Sequence, residues 1–512
     1  MITNPPARSP EATFLGHPVG LSVLFGTELW ERFCYYGMRA LLTLYMVKFL
    51  FVDGRPEHVL GYAAVKSAFE YFSGPLDREQ LASLLYGSYT AIAYLACLLG
   101  GFVADNFLGQ RRAVLLGGVT MAVGEFLLAQ PALFFVGLLV LVFGNGFFKP
   151  NISTQVGGLY KPGDTRIDSA YSIFYVGINL GALIAPLVTG RAAGIDGNDP
   201  HYSWGFVAAG IGMLFALAIN LAGRHTLPPD VRGRRLQSAE AHAPLTALDK
   251  RAVVALCVVA LLNVFFWGCY EQQGITIALM AADNSNLSAP FGTHIGIADV
   301  QSFNPFFIFA LTPIIIAIWR WQAKRGAEPS PVLKMAVGCA FTTAAFALLI
   351  IPGFAIDAGG KPTWLWLLGA MAVLTVGELY LSPVGLSLFS KAAPAKLASP
   401  DDGGELPVQR RRQLPRRLPR HLLGQDAQIP LLHDDRRHRR RHRRRDLPAK
   451  LRPATRAEGP HGAGMNKRPG ALPLDPAKDK SLEPAYSVGG QGGGQRVRAH
   501  ALAAPLLVLR QK

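Results

Sequence analysis

The 512-residue chain is short of charge: 17% of it is Asp, Glu, Lys or Arg, against 50% hydrophobic residues. That balance argues against a soluble enzyme and fits a polytopic membrane protein. Paired cysteines are missing too. Cys34, Cys97, Cys257, Cys269 and Cys339 each stand alone in an apolar stretch, without CxxC spacing. They read as small buried hydrophobes rather than metal ligands or disulfide partners. No GxxxxGKS/T loop occurs, so nothing reads as an ATP motor. HExxH and GxSxG are also absent, and no nucleophile–base pair stands out, so the chain is not read as an enzyme. The N-terminus has neither a basic region nor a cleavage site. No removable signal peptide is expected, and the first apolar segment would direct insertion itself.

The formal charge of +17 belongs almost wholly to one segment. Residues 400–512 hold 25 Lys and Arg against 11 Asp and Glu, which accounts for +14 and leaves +3 for the first 399. Runs such as VQRRRQLPRRLPRHLL and DDRRHRRRHRRRDLPAKLRP have no helical or strand period, and the last apolar stretch, ALAAPLLVL, is too short to span a bilayer. One reading is a basic tail that binds anionic lipid or nucleic acid. Another is disorder. The abrupt change after GLSLFSKAAPAKLAS favours a third, a shift of reading frame near Ser399, because out-of-frame codons in GC-rich DNA tend to give Arg, Pro, Gly and Ala. No function and no nucleic-acid partner is assigned to this tail.

What is present is a series of apolar runs. A spanning helix needs about 20 such residues, and ten segments qualify: 20–50, 81–104, 112–129, 131–150, 170–190, 205–223, 251–281, 302–322, 331–352 and 363–390. With the N-terminus in the cytoplasm, alternation puts Arg111 and Arg112, Lys161 and Arg166, the basic loop at 224–250, and Arg320, Lys324 and Arg325 inside. Most outside loops are almost free of Lys and Arg; the first, 51–80, has more acids than bases. This is the positive-inside pattern. The expected architecture is an all-α polytopic membrane protein: a six-helix bundle over 1–223, a cytoplasmic loop at 224–250, a four-helix bundle over 251–398 and the basic tail at 399–512. The inner (cytoplasmic) membrane is the expected location and the lipid bilayer the expected surroundings.

Charges at membrane depth are costly and face a cavity or one another. TELWERFCYYGMRALL, starting at Thr27, sets Glu28, Glu31, Arg32 and Arg39 in an aromatic and aliphatic run. Spacings of three and four put Glu28, Glu31 and Arg32 on one helix face. Two carboxylates and one cation cannot all neutralise, so the triplet can exchange a proton, with Arg32 opposing uptake until a second anion binds it. A structural ion pair between helices is the plainer alternative. Other polar groups recur at depth: Lys149 at the end of the fourth helix before Pro150, Asn179 between glycines, Glu271 after an aromatic cluster, Asn304 before a helix-breaking proline, and Glu378 five residues ahead of Pro383. Cations and amides in the first half and carboxylates in the second suit a small zwitterion. Its carboxylate would face Arg32 and Lys149, its ammonium Glu378, and its amides Asn179 and Asn304. Tyr35, Tyr36, Tyr94 and Trp267 would form side-chain pockets or serve packing.

These blocks resemble those of the proton-dependent oligopeptide transporter family (POT/PTR) of the major facilitator superfamily, over about residues 18–398. ELWERFCYYG is similar to its ExxER motif, GGFVADNFLGQRRA and YSIFYVGINLGAL to its two signatures, and GNGFFKPN, FFWGCYEQ, FNPFF and GELYLSPVG to further blocks in order. The resemblance implies two six-helix bundles and proton-coupled import of di- and tripeptides by alternating access, with no cofactor besides the coupling proton. It implies that Glu28, Glu31, Arg32 and Lys149 couple protons, that Arg39 and Glu271 pair across the bundles, and that Tyr35, Tyr36, Tyr94, Asn179, Trp267, Asn304 and Glu378 contact peptide. The chain departs from the family where helices eleven and twelve should begin, at the Arg/Pro tail, which leaves the second bundle incomplete. Three other readings are open: a transporter of another substrate such as nitrate, a peptide-binding membrane protein without transport, and an inactive frameshifted product.

Overall fold

The computed structural model describes residues 13–392, apart from 15, 53, 162–163 and 231–245. The middle of the expected 224–250 loop and the 399–512 tail, with its frame-shift reading, lie outside the described residues. A two-residue hairpin, β1 (Thr13–Phe14) and β2 (His17–Pro18), leads into α1 (Val19–Tyr45), which a π-turn extends to Leu50. The 27 residues of α1 run about 40 Å at 1.5 Å per residue, more than the hydrocarbon layer of about 30 Å.

The first half continues with α2 (Tyr62–Ser73), α3 (Arg78–Val103), α4 (Gln110–Leu128), α5 (Phe134–Gly158), α6 (Ile167–Ala193) and α7 (Tyr202–Gly223). The second half comprises α8 (Ala247–Tyr270), α9 (Thr276–Asp283), α10 (Phe303–Lys324), α11 (Pro331–Asp357) and α12 (Leu365–Ala392). Local sequence sets several starts. Asp77 and Gln80 cap α3 reciprocally, as Thr246 and Asp249 cap α8, and Ser330 caps α11 ahead of Pro331 at its first position.

Among the described residues, eight helical stretches are long and apolar enough to cross a membrane: α3, α5, α6, α7, α8 with α9, α10, α11 and α12. The other two long helices are α1, with Glu28, Glu31, Arg32 and Arg39, and α4, with Arg111, Arg112 and Glu125. All ten expected segments are thus helical. Helix α2 was not expected, because twelve residues cannot span.

Two local readings need correction. The fourth spanning helix does not end at Lys149, because α5 runs through Pro150 to Gly158. Pro150 lacks an N–H, but side-chain bonds back to the turn, from Asn151 to the Phe147 carbonyl (2.7 Å) and from Thr154 to that of Pro150 (2.8 Å), accompany the uninterrupted coil. Pro305 does not break a helix either. It lies in the first turn of α10, where amides have no intrahelical partner to lose.

Close packing comes from small residues. Gly100 on α3 lies so near the Gly146 carbonyl of α5 that a Cβ would not fit, and on α11 and α12 a Cβ at Gly338 or Gly377 would meet the other's carbonyl at 2.7–2.8 Å. The first half shares one core around Leu24, Tyr45, Phe148 and Phe206, whereas the second has a core around Trp267, Tyr270 and Leu374 and a smaller one around Ile308 and Leu379. The basic start of α4 is also structural. Arg111 donates from Nε to the Pro228 carbonyl (2.7 Å) and from Nη2 to that of Leu227, while Asp230 accepts the Arg111 amide (2.7 Å).

Candidate functional site

The halves meet along α1 and α6 on one side and the α8–α9 turn (Glu271–Gly274), the 298–302 turn and α10 on the other. A cavity of about 40 Å³ lies between them, with Tyr36 and Arg39 of α1, Asn179 of α6, Asn304 of α10 and Glu378 of α12 in its wall. Room for a few waters is all this volume gives. Five of the residues singled out from sequence therefore share one hollow.

Beside it, the α1 triplet is fully buried. Arg32 bonds Glu31 through both ends of its fork, Nε to Oε2 at 2.5 Å and Nη2 to Oε1 at 2.6 Å, while Glu28 Oε1 lies 3.3 Å from Nε. Glu28 Oε2 has no hydrogen-bond partner among the described residues. An oxygen buried without a partner is costly, so this position can take up a hydrogen-bonding or cationic partner. Lys149 has no carboxylate within 4.0 Å among the described residues. Its Nζ lies 4.7 Å from the Tyr94 ring centre and 5.7 Å from that of Tyr35. Arg32 and Arg39 approach the same Tyr35 ring at 5.0 and 5.5 Å, so Tyr35 sits among three cations.

Arg39 and Glu271 form an ion pair across the halves. Tyr86 of α3, not foreseen from sequence, completes it: its hydroxyl accepts from Arg39 Nε (2.9 Å) and donates toward Glu271 Oε2 (3.4 Å). In the second half Glu378 accepts from Asn304 Nδ2 (2.9 Å), which also bonds Thr375, and Asn304 Oδ1 accepts from Tyr270 (3.0 Å). Asn179 donates to the Tyr175 carbonyl of its own helix (2.9 Å) while facing the cavity. Trp267 is placed differently. It packs between Phe266 and Tyr270 and is absent from the cavity wall.

Further clasps join the halves at the end of the bundle where α1 finishes. Arg191 at the end of α6 bonds both oxygens of Asp299 at 2.9 Å, Asp196 accepts the Ile297 amide (2.7 Å), and Thr43 donates to the Gly274 carbonyl (2.8 Å). Lys48 pairs with Asp283. The opposite end of α6 begins beside a loop pair that is unsuited to proton exchange near neutrality. Hydrogen bonds from Arg166 hold the Asp164 carboxyl down at about 2.

Sequence reasoning also passed over Glu125, fully buried on α4 with Cys34 Sγ donating to it at 3.4 Å. Its signal was there, a carboxylate inside the apolar run VGEFLL. Tyr86, Tyr175 and Tyr270 left no such signal, because aromatics are common on spanning helices.

Known proteins resemble this chain in sequence and fold. The family model described as the POT family matches residues 108–232 and 243–402. The chain is 33% identical over 452 residues to the di-/tripeptide transporter of Lactococcus lactis subsp. cremoris, covering 76% of this chain and 86% of that protein. It is 34% identical over 454 residues to the peptide transporter YePEPT of Yersinia enterocolitica subsp. palearctica, covering 75% and 84%. The crystal structure of a peptide transporter POT mutant in complex with sulfate superposes with a TM-score of 0.64 at 33% identity, covering 75% of this chain and 85% of that one. A POT family transporter in complex with 5-aminolevulinic acid gives 0.60 at 29%, covering 75% and 86%. With its spanning helices, its buried α1 charges and a shared hollow between two halves, this chain belongs to the POT family and is a multi-pass membrane transporter, not an enzyme.

Proposed function

We propose that the protein is a proton-coupled symporter that imports di- and tripeptides across the cytoplasmic membrane, with its N-terminus in the cytoplasm. The observation that carries this reading is the polarity of the hollow beside the α1 triplet: Arg39 and Tyr36 on α1 face Glu378 and Asn304 on α12 and α10. A peptide's carboxylate is drawn to the α1 side, where Arg32 and Lys149 add charge behind Tyr35. Its ammonium is drawn to Glu378, and its amides to Asn179 and Asn304. The names of the relatives support a peptide as the substrate. Nitrate would need neither Glu378 nor the paired amides, so retained uptake in Glu378→Gln would turn the reading toward a small anion.

Alternating access accounts for the small volume. A dipeptide is far larger than a few waters, so it enters only when the cavity widens. The Arg39–Tyr86–Glu271 network and the Arg191–Asp299 pair hold the halves together at one end, the extracellular one in this orientation. A proton on Glu271 removes the charge that holds Arg39, and the halves rock apart there. Peptide and proton drive the change only through their different affinities for the two states.

The test is uptake of labelled dialanine into proteoliposomes with and without an inward proton gradient, on the full chain. Gradient-dependent accumulation is expected. Glu271→Gln should lose accumulation yet exchange labelled for unlabelled peptide, and normal accumulation by it would refute the Glu271 role. Binding without counterflow would favour a non-transporting peptide binder. A parallel chain carrying two spanning helices after residue 398 separates an inactive product of a shifted frame from a wrong substrate.

A further inference from the structure

Helix α2 lies in the connection between two membrane-crossing helices, and its twelve residues divide into three sectors. Tyr62, Val65 and Phe69, spaced i, i+3 and i+7, pack against the first-half core. Lys66, Ser67 and Glu70 make a polar sector, with Lys66 and Glu70 paired at 3.7 Å. Ala64, Ala68, Tyr71 and Phe72, at i, i+4, i+7 and i+8, make a third sector that no part of the described protein covers. Tyr71 is 83% and Phe72 86% exposed, with ring centres 5.0 Å apart, and Leu60 just before the helix is 62% exposed. Isolated exposed apolar residues need no explanation. A stripe of aromatics on one sector of a short amphipathic helix does.

The position of α2 says what covers the stripe. Only residues 74–77 separate Ser73 from Arg78, where α3 begins, so the end of α2 that carries Tyr71 and Phe72 lies within about 18 Å of that start. Arg78, Glu79 and Gln80 are followed by an apolar run whose outward side chains include Leu84, Ile92, Leu95 and Leu99. Polar residues at the start of a spanning helix lie at headgroup level, and the apolar run beyond them meets acyl chains. Tyr71 and Phe72 thus stand beside the surface that already faces lipid. Aromatic side chains favour that zone, and a helix with one apolar sector and one charged sector lies in it.

We propose that α2 is an interfacial helix that seats Tyr71 and Phe72 in the lipid headgroup layer. There it anchors the connection between α1 and α3, and with it the end of α1 that carries Lys48 and the Arg39 network. The partner is the bilayer surface itself, not a soluble protein and not a second copy of the chain.

The test places a nitroxide at Phe72→Cys or Ser67→Cys in the full chain. The exposed cysteines Cys257, Cys269 and Cys339 are replaced by Ser, and the buried Cys34 and Cys97 are kept. The protein is reconstituted in vesicles of phosphatidylethanolamine and phosphatidylglycerol. Collision with oxygen, which concentrates in lipid, relative to a water-soluble nickel chelate should be about fivefold higher at position 72 than at 67. Equal ratios, or a position 72 that meets the nickel chelate freely, would overturn the proposal. A position 72 shielded from both reagents would overturn it in favour of protein contact. Tyr71→Cys repeats the measurement from the neighbouring ring, so failure of one variant to fold leaves the other decisive.

Discussion

The first half of the molecule is closely packed and the second is open. Helices α5, α6 and α7 each bury half of their most apolar window, whereas α8 with α9 and α10 bury 28% and α11 buries 17%. The contrast is not uniform. The peripheral α3 also buries only 28%, and α12, at the centre of its half, buries 50%. Among the described residues, six long helices of the first half enclose an interior that four of the second do not. In lipid this costs little hydrophobic energy, since acyl chains are as apolar as leucine, and what is lost is close packing. Two buried carboxylate sites differ in what holds them. Arg32, Glu28 and Glu31 bond one another within α1, while Glu378 is held by the neutral Asn304.

The sharpest way to break this comparison is to remove one charge from each half. Arg32→Ala leaves two buried carboxylates without their cation, so a loss of about 3–5 kcal/mol is expected, with abolished uptake and a large fall in the unfolding temperature in detergent. Glu378→Gln keeps a partner for Asn304, so it should unfold near the parent temperature while the KM for dialanine rises at least about tenfold. Equal thermal effects of the two changes would end the distinction.

Glycine substitutions sharpen the packing side. Gly100→Ala drives a methyl into the Gly146 carbonyl and should cost about 1–3 kcal/mol. Gly268→Ala on α8 meets nothing within 4 Å and should be neutral or stabilising by up to about 1 kcal/mol. Thermal unfolding of the pair reads the difference directly.

Smaller effects are expected where the halves clasp. Arg191→Ala removes a two-point bond to the nearly buried Asp299 and should shift the open–closed balance about threefold, whereas Lys48→Ala, in a more exposed pair, should shift it less. Labelling rates of a cysteine placed in the cavity wall measure both.

The smallest effect belongs to the loop before α6. The Asp164 carboxyl, held at about 2, lies below its unfolded value. Its contribution is therefore complete above about pH 4 and is lost only as pH falls through 2. Asp164→Asn should leave the uptake profile between about pH 5 and 8 unchanged, and a displaced profile would mean that this loop takes part in proton exchange.

The spans and the α1 triplet were legible because apolar runs and intramembrane charge are written in consecutive residues. Helix α2 was not, because twelve residues with an amphipathic pattern read equally well as a loop. Lys149 was placed at a helix end because Pro150 lacks an amide, yet α5 continues through that residue to Gly158. Tyr86 could not be read at all: it lies 47 positions from Arg39 and 185 from Glu271, and only folding brings the three together.

Residue order alone determined which stretches of the described residues form long apolar helices and which side chains carry charge in them, since each spanning helix satisfies its own backbone and must be apolar over its own length. Tertiary structure decided which of those charges share a hollow, which tyrosine bridges the halves, and which faces are left to lipid. Those outcomes depend on contacts between helices distant in sequence, which no single segment contains.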